Sequence, residues 1–232
     1  MKRVWAIVVA GGRGERYGQP KQFLPLGDVR LVDHAVTAAR AVCDAVVIVL
    51  PEGMAWDGPA VECSVSGGDT RAASVRAGLA AVPDDAEVIV VHDAARPLAQ
   101  PALFRAVIDA VRAGADGAVP ALPVTDTVRR VHGDVVAEAV DRDGLVRVQT
   151  PQAFRADCLR AAHTATLSSG RRRERRLLRR RSAKPPPPRD ATDDSGLVEA
   201  SGAQVVVVPG DERNLKVTTT DDLARATALL SQ

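Results

Sequence analysis

Aromatic side chains are scarce in this chain: two Trp, one Tyr and three Phe, 3% of 232 residues. Hydrophobic residues still make up 46%, so a sizeable core is possible, but it has to be built from Ala, Val and Leu. Long apolar runs are missing too. None approaches the roughly 18 residues that a membrane-spanning helix needs, so no membrane is expected as a partner. Cysteines are few, at Cys43, Cys63 and Cys158, far apart and without a Cys-x-x-Cys spacing. An odd, scattered set excludes a disulfide framework and suits a reducing cytoplasm. The first residues, Met1 to Gly12, have a basic start and a short apolar stretch that runs straight into Gly-Gly-Arg. With no cleavage-type segment, this reads as a first buried strand rather than a signal peptide.

The formal charge of +2 hides a strong local imbalance. Residues 168–190 hold nine Arg and one Lys against Glu174 and Asp190, a net +8 that leaves −6 on the remainder of the chain. A nucleic-acid binder spreads basic charge over a folded face. Here one segment holds all the excess, so no nucleic acid is expected as a partner.

A chain of this length suits one α/β domain. Val4–Val9, Ala45–Leu50, Glu87–Val91, Gly117–Ala121 and Gln204–Val208 read as buried strands rich in Val and Ile. Between them, Leu31, Val32, Ala35, Val36, Ala39 and Val42 share one helical face. Ala72–Ala81, Pro101–Ala113 and Asp221–Leu230 are patterned similarly, and Pro101 suits a first helical turn. Alternating strands and helices predict a mostly parallel sheet covered on both faces, with ligands bound beyond the C-terminal ends of its strands. Two stretches break the alternation. Residues 122–148 read as a hairpin excursion, Val124–Arg130 and Val135–Val140 around a His132-Gly133-Asp134 turn. Residues 168–190 combine the Arg-dense block with Pro185–Pro188, which can join neither helix nor central strand.

Directly after the first strand stands Ala10-Gly11-Gly12-Arg13-Gly14-Glu15-Arg16-Tyr17-Gly18-Gln19-Pro20-Lys21-Gln22. Its glycines let backbone N–H groups wrap an anion, because no Cβ blocks close approach. The Gly-Lys-Ser/Thr of a P-loop is absent, and Tyr17 stands where a dinucleotide fingerprint needs its third glycine. Arg16 and Lys21 instead supply two cations that can clamp a triphosphate.

Together with Pro20-Lys21-Gln22, this loop resembles the signature of nucleotide-sugar pyrophosphorylase-type nucleotidyltransferases. Further segments narrow the resemblance: Gly67-Gly68-Asp69-Thr70-Arg71-Ala72-Ala73-Ser74-Val75, Val91-His92-Asp93-Ala94-Ala95-Arg96-Pro97, Val140 to Leu145 with Gln149-Thr150-Pro151-Gln152, and Asn214-Leu215-Lys216-Val217-Thr218. In this order they resemble the 2-C-methyl-D-erythritol 4-phosphate cytidylyltransferase family over nearly the whole chain except about residues 165–190. The resemblance implies a single Rossmann-like nucleotidyltransferase domain over 1–232, of α/β class, with 122–148 as a protruding β-arm that joins a homodimer. It implies CTP and a sugar-alcohol phosphate as substrates and Mg²⁺ as cofactor. Backbone atoms of Ala10, Gly11 and Gly12, with Gly14, Gly68, Asp69 and Ser74, would hold the nucleotide. Asp93, which should lie just past its strand, would hold the metal. Lys21 and Arg16 would stabilise charge at the α-phosphate. Arg142 and Lys216 would orient the attacking phosphate, and Thr127, Thr150, Thr192, Asp93 and Arg96 would surround the acceptor, Thr127 reaching the neighbouring subunit's site. His92 reads as structural, because a phosphate nucleophile needs no proton abstracted.

Family members need only a short connection where this chain carries 168–190. One reading is a real Arg-rich insertion that binds RNA, an acidic partner or anionic lipid. The other is a shift of reading frame in GC-rich DNA. Either way the composition predicts a disordered segment without a catalytic role. Two functional alternatives remain at this level: a cytidylyltransferase for ribitol 5-phosphate, with the same loop chemistry, and a catalytically silent nucleotide- or RNA-binding protein.

Overall fold

The computed structural model describes residues 3–12, 20–165 and 193–231. Expectations for Gly14, Arg16, Thr192 and the 168–190 segment therefore lie outside the described residues.

The central sheet has eight strands. β1 (Val4–Val9) is followed by a small antiparallel pair outside that sheet, β2 (Pro25–Leu26) with β3 (Val29–Arg30). Within the sheet β1 lies between β4 (Ala45–Leu50) and β6 (Val88–Asp93), parallel to both. β5 (Cys63–Ser66) extends one side in parallel beyond β4. On the other side β11 (Gln152–Arg155) is inserted antiparallel between β6 and β7 (Gly117–Pro123). β10 (Val146–Val148) pairs antiparallel with β7, and β12 (Val205–Pro209) pairs with it in parallel. The predicted sheet is thus present with its parallel centre. β5, β10 and β11 are additions, short strands of three or four residues that offer too little periodicity to be seen in sequence.

β1 illustrates why these strands read as continuous apolar runs. Val4, Ala6 and Val8 enter one core with α1 (Leu31–Arg40) and α3 (Pro101–Arg112), represented by Val36 and Phe104. Trp5 and Ile7 enter a second core with α2 (Arg71–Ala81) and α4 (156–165), represented by Val75 and Leu159. Both faces are covered, so alternation has no solvent side to mark. Among the described residues Phe104 and Phe154 are the aromatic rings that rank with the largest fully buried side chains. α2 lies so close to the sheet that a Cβ on Gly78 would come within 2.5 Å of Ile7 Cγ2.

Helix ends follow local rules. Thr70 caps α2 by accepting from the Ala73 N–H, and Thr219 forms a capping box with Asp222 at the start of α6 (Thr220–Leu230). Asp193 caps α5 (Asp194–Ala200) by accepting from the Gly196 N–H. The excursion is a separate two-stranded sheet, β8 (Val128–His132) with β9 (Val135–Val140), and carries a register irregularity between Arg130 and Val131. Its turn is where the sequence put it, with Gly133 at φ +60°, in the left-handed region that glycine adopts without strain. Val131, Val135 and Val136 are 54%, 70% and 60% exposed, so the arm buries little of its own apolar surface.

Candidate active site

The C-terminal tips of β1 and β6 and the segment that follows β5 line a cleft of about 420 Å³. At β1 the Ala10 N–H donates to Val49 O at 2.8 Å, so the chain leaves the sheet only at Gly11. Gln22, buried in a short 3₁₀ turn (Lys21–Phe23), donates through Nε2 to Ala10 O at 2.5 Å and Gly12 O at 2.8 Å. One side chain thereby anchors the start of the Gly-rich loop and turns Lys21 towards the cleft it lines. Opposite, the Gly67 N–H donates to Leu50 O at 2.7 Å, and Ser74 is close to both backbone groups of Gly68, its Oγ accepting from N at 3.2 Å and donating to O at 3.3 Å. The turn into α2 is tight enough that a Cβ on Gly67 would meet Ser74 Oγ at 2.8 Å, and one on Gly68 would meet Ala73 Cβ at 2.6 Å. Glycine is needed here for space.

Asp93 is the last residue of β6 rather than just past it. Its carboxylate is bracketed by cations, Arg71 Nε on Oδ1 at 2.9 Å and Lys216 Nζ on Oδ2 at 2.7 Å. Burial alone would raise the carboxyl, but Arg71 and then Lys216 outweigh it and hold it well below the usual carboxylate range. Lys21, Arg71 and Lys216 line the cleft together with Asp69 and Asp93. This excess of cations among the described lining residues suits an anionic, phosphate-bearing ligand.

The backbone of Asp93 is fixed from behind. Its N–H donates to Thr150 Oγ1 at 3.0 Å, and Thr150 Oγ1 lies 3.1 Å from His92 Nδ1. His92 Nε2 lies 3.2 Å from Arg96 O, and its ring meets Phe104 edge-on at 5.0 Å. A carbonyl can only accept, so Nε2 carries the proton and Nδ1 accepts from the Thr150 hydroxyl. Burial pushes the imidazole down to about 4, which keeps it neutral. His92 is structural, as its sequence context suggests.

The expected site residues separate into groups. Ala10, Gly11, Gly12, Lys21, Gly68, Asp69, Ser74, Asp93 and Lys216 all line the cleft. Thr150 does not; it is buried, with its hydroxyl spent on Asp93 and His92, so the acceptor-binding expectation for it is corrected to a supporting position. Arg96 is not among the lining residues either; its guanidinium donates to Asn214 O at 2.7 Å and Val148 O at 3.4 Å. Arg142, which donates to Thr125 O, and Thr127 are exposed near the arm and do not line this chain's cleft. Sequence reasoning assigned no role to Gln22 or Arg71, although both stand inside the quoted motifs. It also missed Asp194, whose partner Arg71 lies 123 residues away in sequence.

An α/β domain with a cation-lined cleft at the C-terminal tips of parallel strands is a nucleotide-binding architecture. Comparison with known proteins specifies it. The sequence profile of IspD, 2-C-methyl-D-erythritol 4-phosphate cytidylyltransferase, matches residues 4–232. A 2-C-methyl-D-erythritol 4-phosphate cytidylyltransferase from Nocardia farcinica is 42% identical, covering 99% of this chain and 94% of its own. The crystal structure of the protein of that name from Thermus thermophilus superposes with a TM-score of 0.78 at 30% identity, covering 97% of this chain and 98% of its own. The chain belongs to the 2-C-methyl-D-erythritol 4-phosphate cytidylyltransferase family. It is also 40% identical to the bifunctional enzyme IspD/IspF of Granulibacter bethesdensis, of which the match spans 57%. It therefore spans little more than half the length of some curated relatives. Among the described residues no helix is long and apolar enough to cross a membrane.

Proposed function

We propose that the chain transfers CMP from CTP to the phosphate of 2-C-methyl-D-erythritol 4-phosphate, releasing pyrophosphate. An oxygen of the acceptor phosphate forms a bond to the α-phosphorus while the bond to the bridging oxygen of the β-phosphate breaks. No proton has to be abstracted from the nucleophile. The chain's own task is positioning and charge. The observation that carries this reading is the convergence of Lys21, Asp93 and Lys216, from three distant segments, on one cleft beside the Gly-rich loops, in a member of this family. Lys21 meets charge that grows at the α-phosphate, Lys216 orients the acceptor phosphate, and Ser74, Gly68 and Asp69 hold the nucleotide.

Mg²⁺ is part of the proposal. Among the described residues no group of three or more His, Cys, Asp or Glu side chains could cage a metal, whereas Mg²⁺ in phosphoryl-transfer sites characteristically uses one or two carboxylates with substrate phosphates and water. Asp93, in a cleft whose described lining holds only one other carboxylate, Asp69, fits that donor set. When bound, the ion would neutralise triphosphate charge and ease departure of pyrophosphate. A homodimer and a cytoplasmic location complete the reading. The exposed valines of β8 and β9 support the first, and free Cys43, Cys63 and Cys158 support the second. Arg142 and Thr127, on or beside the arm, are then candidates to complete the partner subunit's acceptor site.

The test is pyrophosphate release with CTP, other nucleoside triphosphates and a panel of sugar-alcohol phosphates. Turnover requiring CTP, Mg²⁺ and methylerythritol phosphate is expected. Faster turnover with ribitol 5-phosphate, or none with any acceptor, would overturn the assignment.

A further inference from the structure

Asp93 is one member of a longer chain of charged contacts that leads from the cleft into the buried interior. Arg71 donates from Nε to Asp93 Oδ1 at 2.9 Å and from Nη1 to Asp194 Oδ2 at 2.7 Å. The other oxygen of Asp194 lies 2.9 Å from His163 Nε2. The side chains of Asp194 and His163 are 1% and 2% exposed, so a ligand in the cleft cannot reach them. Lys216, on the opposite oxygen of Asp93, is 41% exposed. Asp93 thus has a rigid, buried flank and an open flank.

Local helix energetics do not account for Arg71. It is the first residue of α2, with no acidic residue in the first turn, and the positive end of the helix dipole disfavours a cation there. What holds it is the pair of carboxylates, bridged by the fork of one guanidinium. Lysine, a point charge, cannot reproduce that geometry. Asp194 in turn is a carboxylate removed from water, which persists only when paired and hydrogen-bonded. It receives both from Arg71 and His163. The result registers the carboxylate on β6 against α2, α4 and α5.

We propose that Arg71 is a positioning residue, anchored by Asp194 and through it by His163, that sets the orientation of the Asp93 carboxylate so that its free lone pairs face the cleft for a divalent cation carried by the nucleotide. This rests on the metal-binding reading of Asp93 given above. Partners that orient a metal ligand without touching the metal typically contribute 10- to 100-fold to affinity or activity.

The decisive quantity is the metal-linked gain in nucleotide affinity, the ratio of the Kd for CTP in EDTA to that in Mg²⁺, measured by calorimetry on the full chain without acceptor. Arg71→Lys and Asp194→Asn are expected to lower this ratio about tenfold or more. Asp93→Ala should abolish the gain. If Arg71→Lys or Asp194→Asn does not fold, His163 supplies the readout. His163→Leu should lower the ratio, and His163→Gln, which keeps a donor close to the Nε2 position, should restore it. A ratio at the parent value in folded Arg71→Lys and Asp194→Asn, while Asp93→Ala abolishes the gain, overturns the proposal. So does an equal weakening of both Kd values, which would make Arg71 a nucleotide contact and not an orienting group. An unchanged ratio in Asp93→Ala would instead remove the metal-binding reading itself, and the proposal with it.

Discussion

Replacing Thr150 with Val removes a hydroxyl and leaves the shape almost unchanged, so it separates support of Asp93 from contact with the acceptor. The hydroxyl accepts from the Asp93 N–H at 3.0 Å and lies 3.1 Å from His92 Nδ1. Both partners are buried, and water cannot replace it without rearrangement. Leaving a buried donor and a buried acceptor unsatisfied costs about 1–3 kcal/mol each. Thr150→Val should therefore destabilise the fold by about 2–6 kcal/mol. Thr150→Ser keeps the hydroxyl and loses one methyl group, about 1 kcal/mol. Urea denaturation of the three proteins, followed by fluorescence and circular dichroism, measures the difference. Steady-state kinetics on the folded fraction measures its consequence: kcat should fall as Asp93 shifts, while the acceptor KM changes little. A Thr150→Val protein as stable as the parent but with a sharply raised acceptor KM would refute the supporting role.

Lys21→Ala should lower kcat for pyrophosphate release by roughly 10²–10³, the scale for losing one donor to a transition-state oxyanion; near-normal kcat would exclude it from the chemistry. The neutral His92 ties stability to acid. Its folded value, about 4, lies below the ordinary histidine value of 6.5, so the unfolded chain binds the extra proton and stability is lost as pH falls through that window, by at most about 3 kcal/mol. In denaturation curves between pH 7 and 4, His92→Gln should show a shallower loss than the parent, and identical slopes would contradict the assignment. Charging the arm with Val131→Asp and Val135→Asp should convert a dimer to a monomer in sedimentation. A parent chain that sediments as a monomer, near 24.4 kDa, would remove the arm's proposed role.

Much of this molecule is written locally. Each face of β1 needs its own apolar set, so Val4–Val9 reads as a strand buried on both sides, and the glycines that follow mark where the strand ends. Pro101, Thr70 and Thr219 mark helix starts by chemistry that acts within three residues. The motif around Asp93 was legible for the same reason: a run of Val and Ile ends in a carboxylate at the sheet's ligand-binding edge. Arg71 and Asp194 carry no such mark, since the charge pair joining them is defined by a contact between residues 123 positions apart. Thr150 looks like a ligand contact in a motif, and only packing reveals that its hydroxyl is spent on Asp93 and His92. The antiparallel insertion of β11 between β6 and β7 is likewise decided by the sheet. Four residues of strand say nothing about which neighbours they join. Local pattern is enough for the layered α/β domain and the residue types of its cleft; which of those residues line the cleft and which hold the others still depends on where each polar atom finds its partner across the fold.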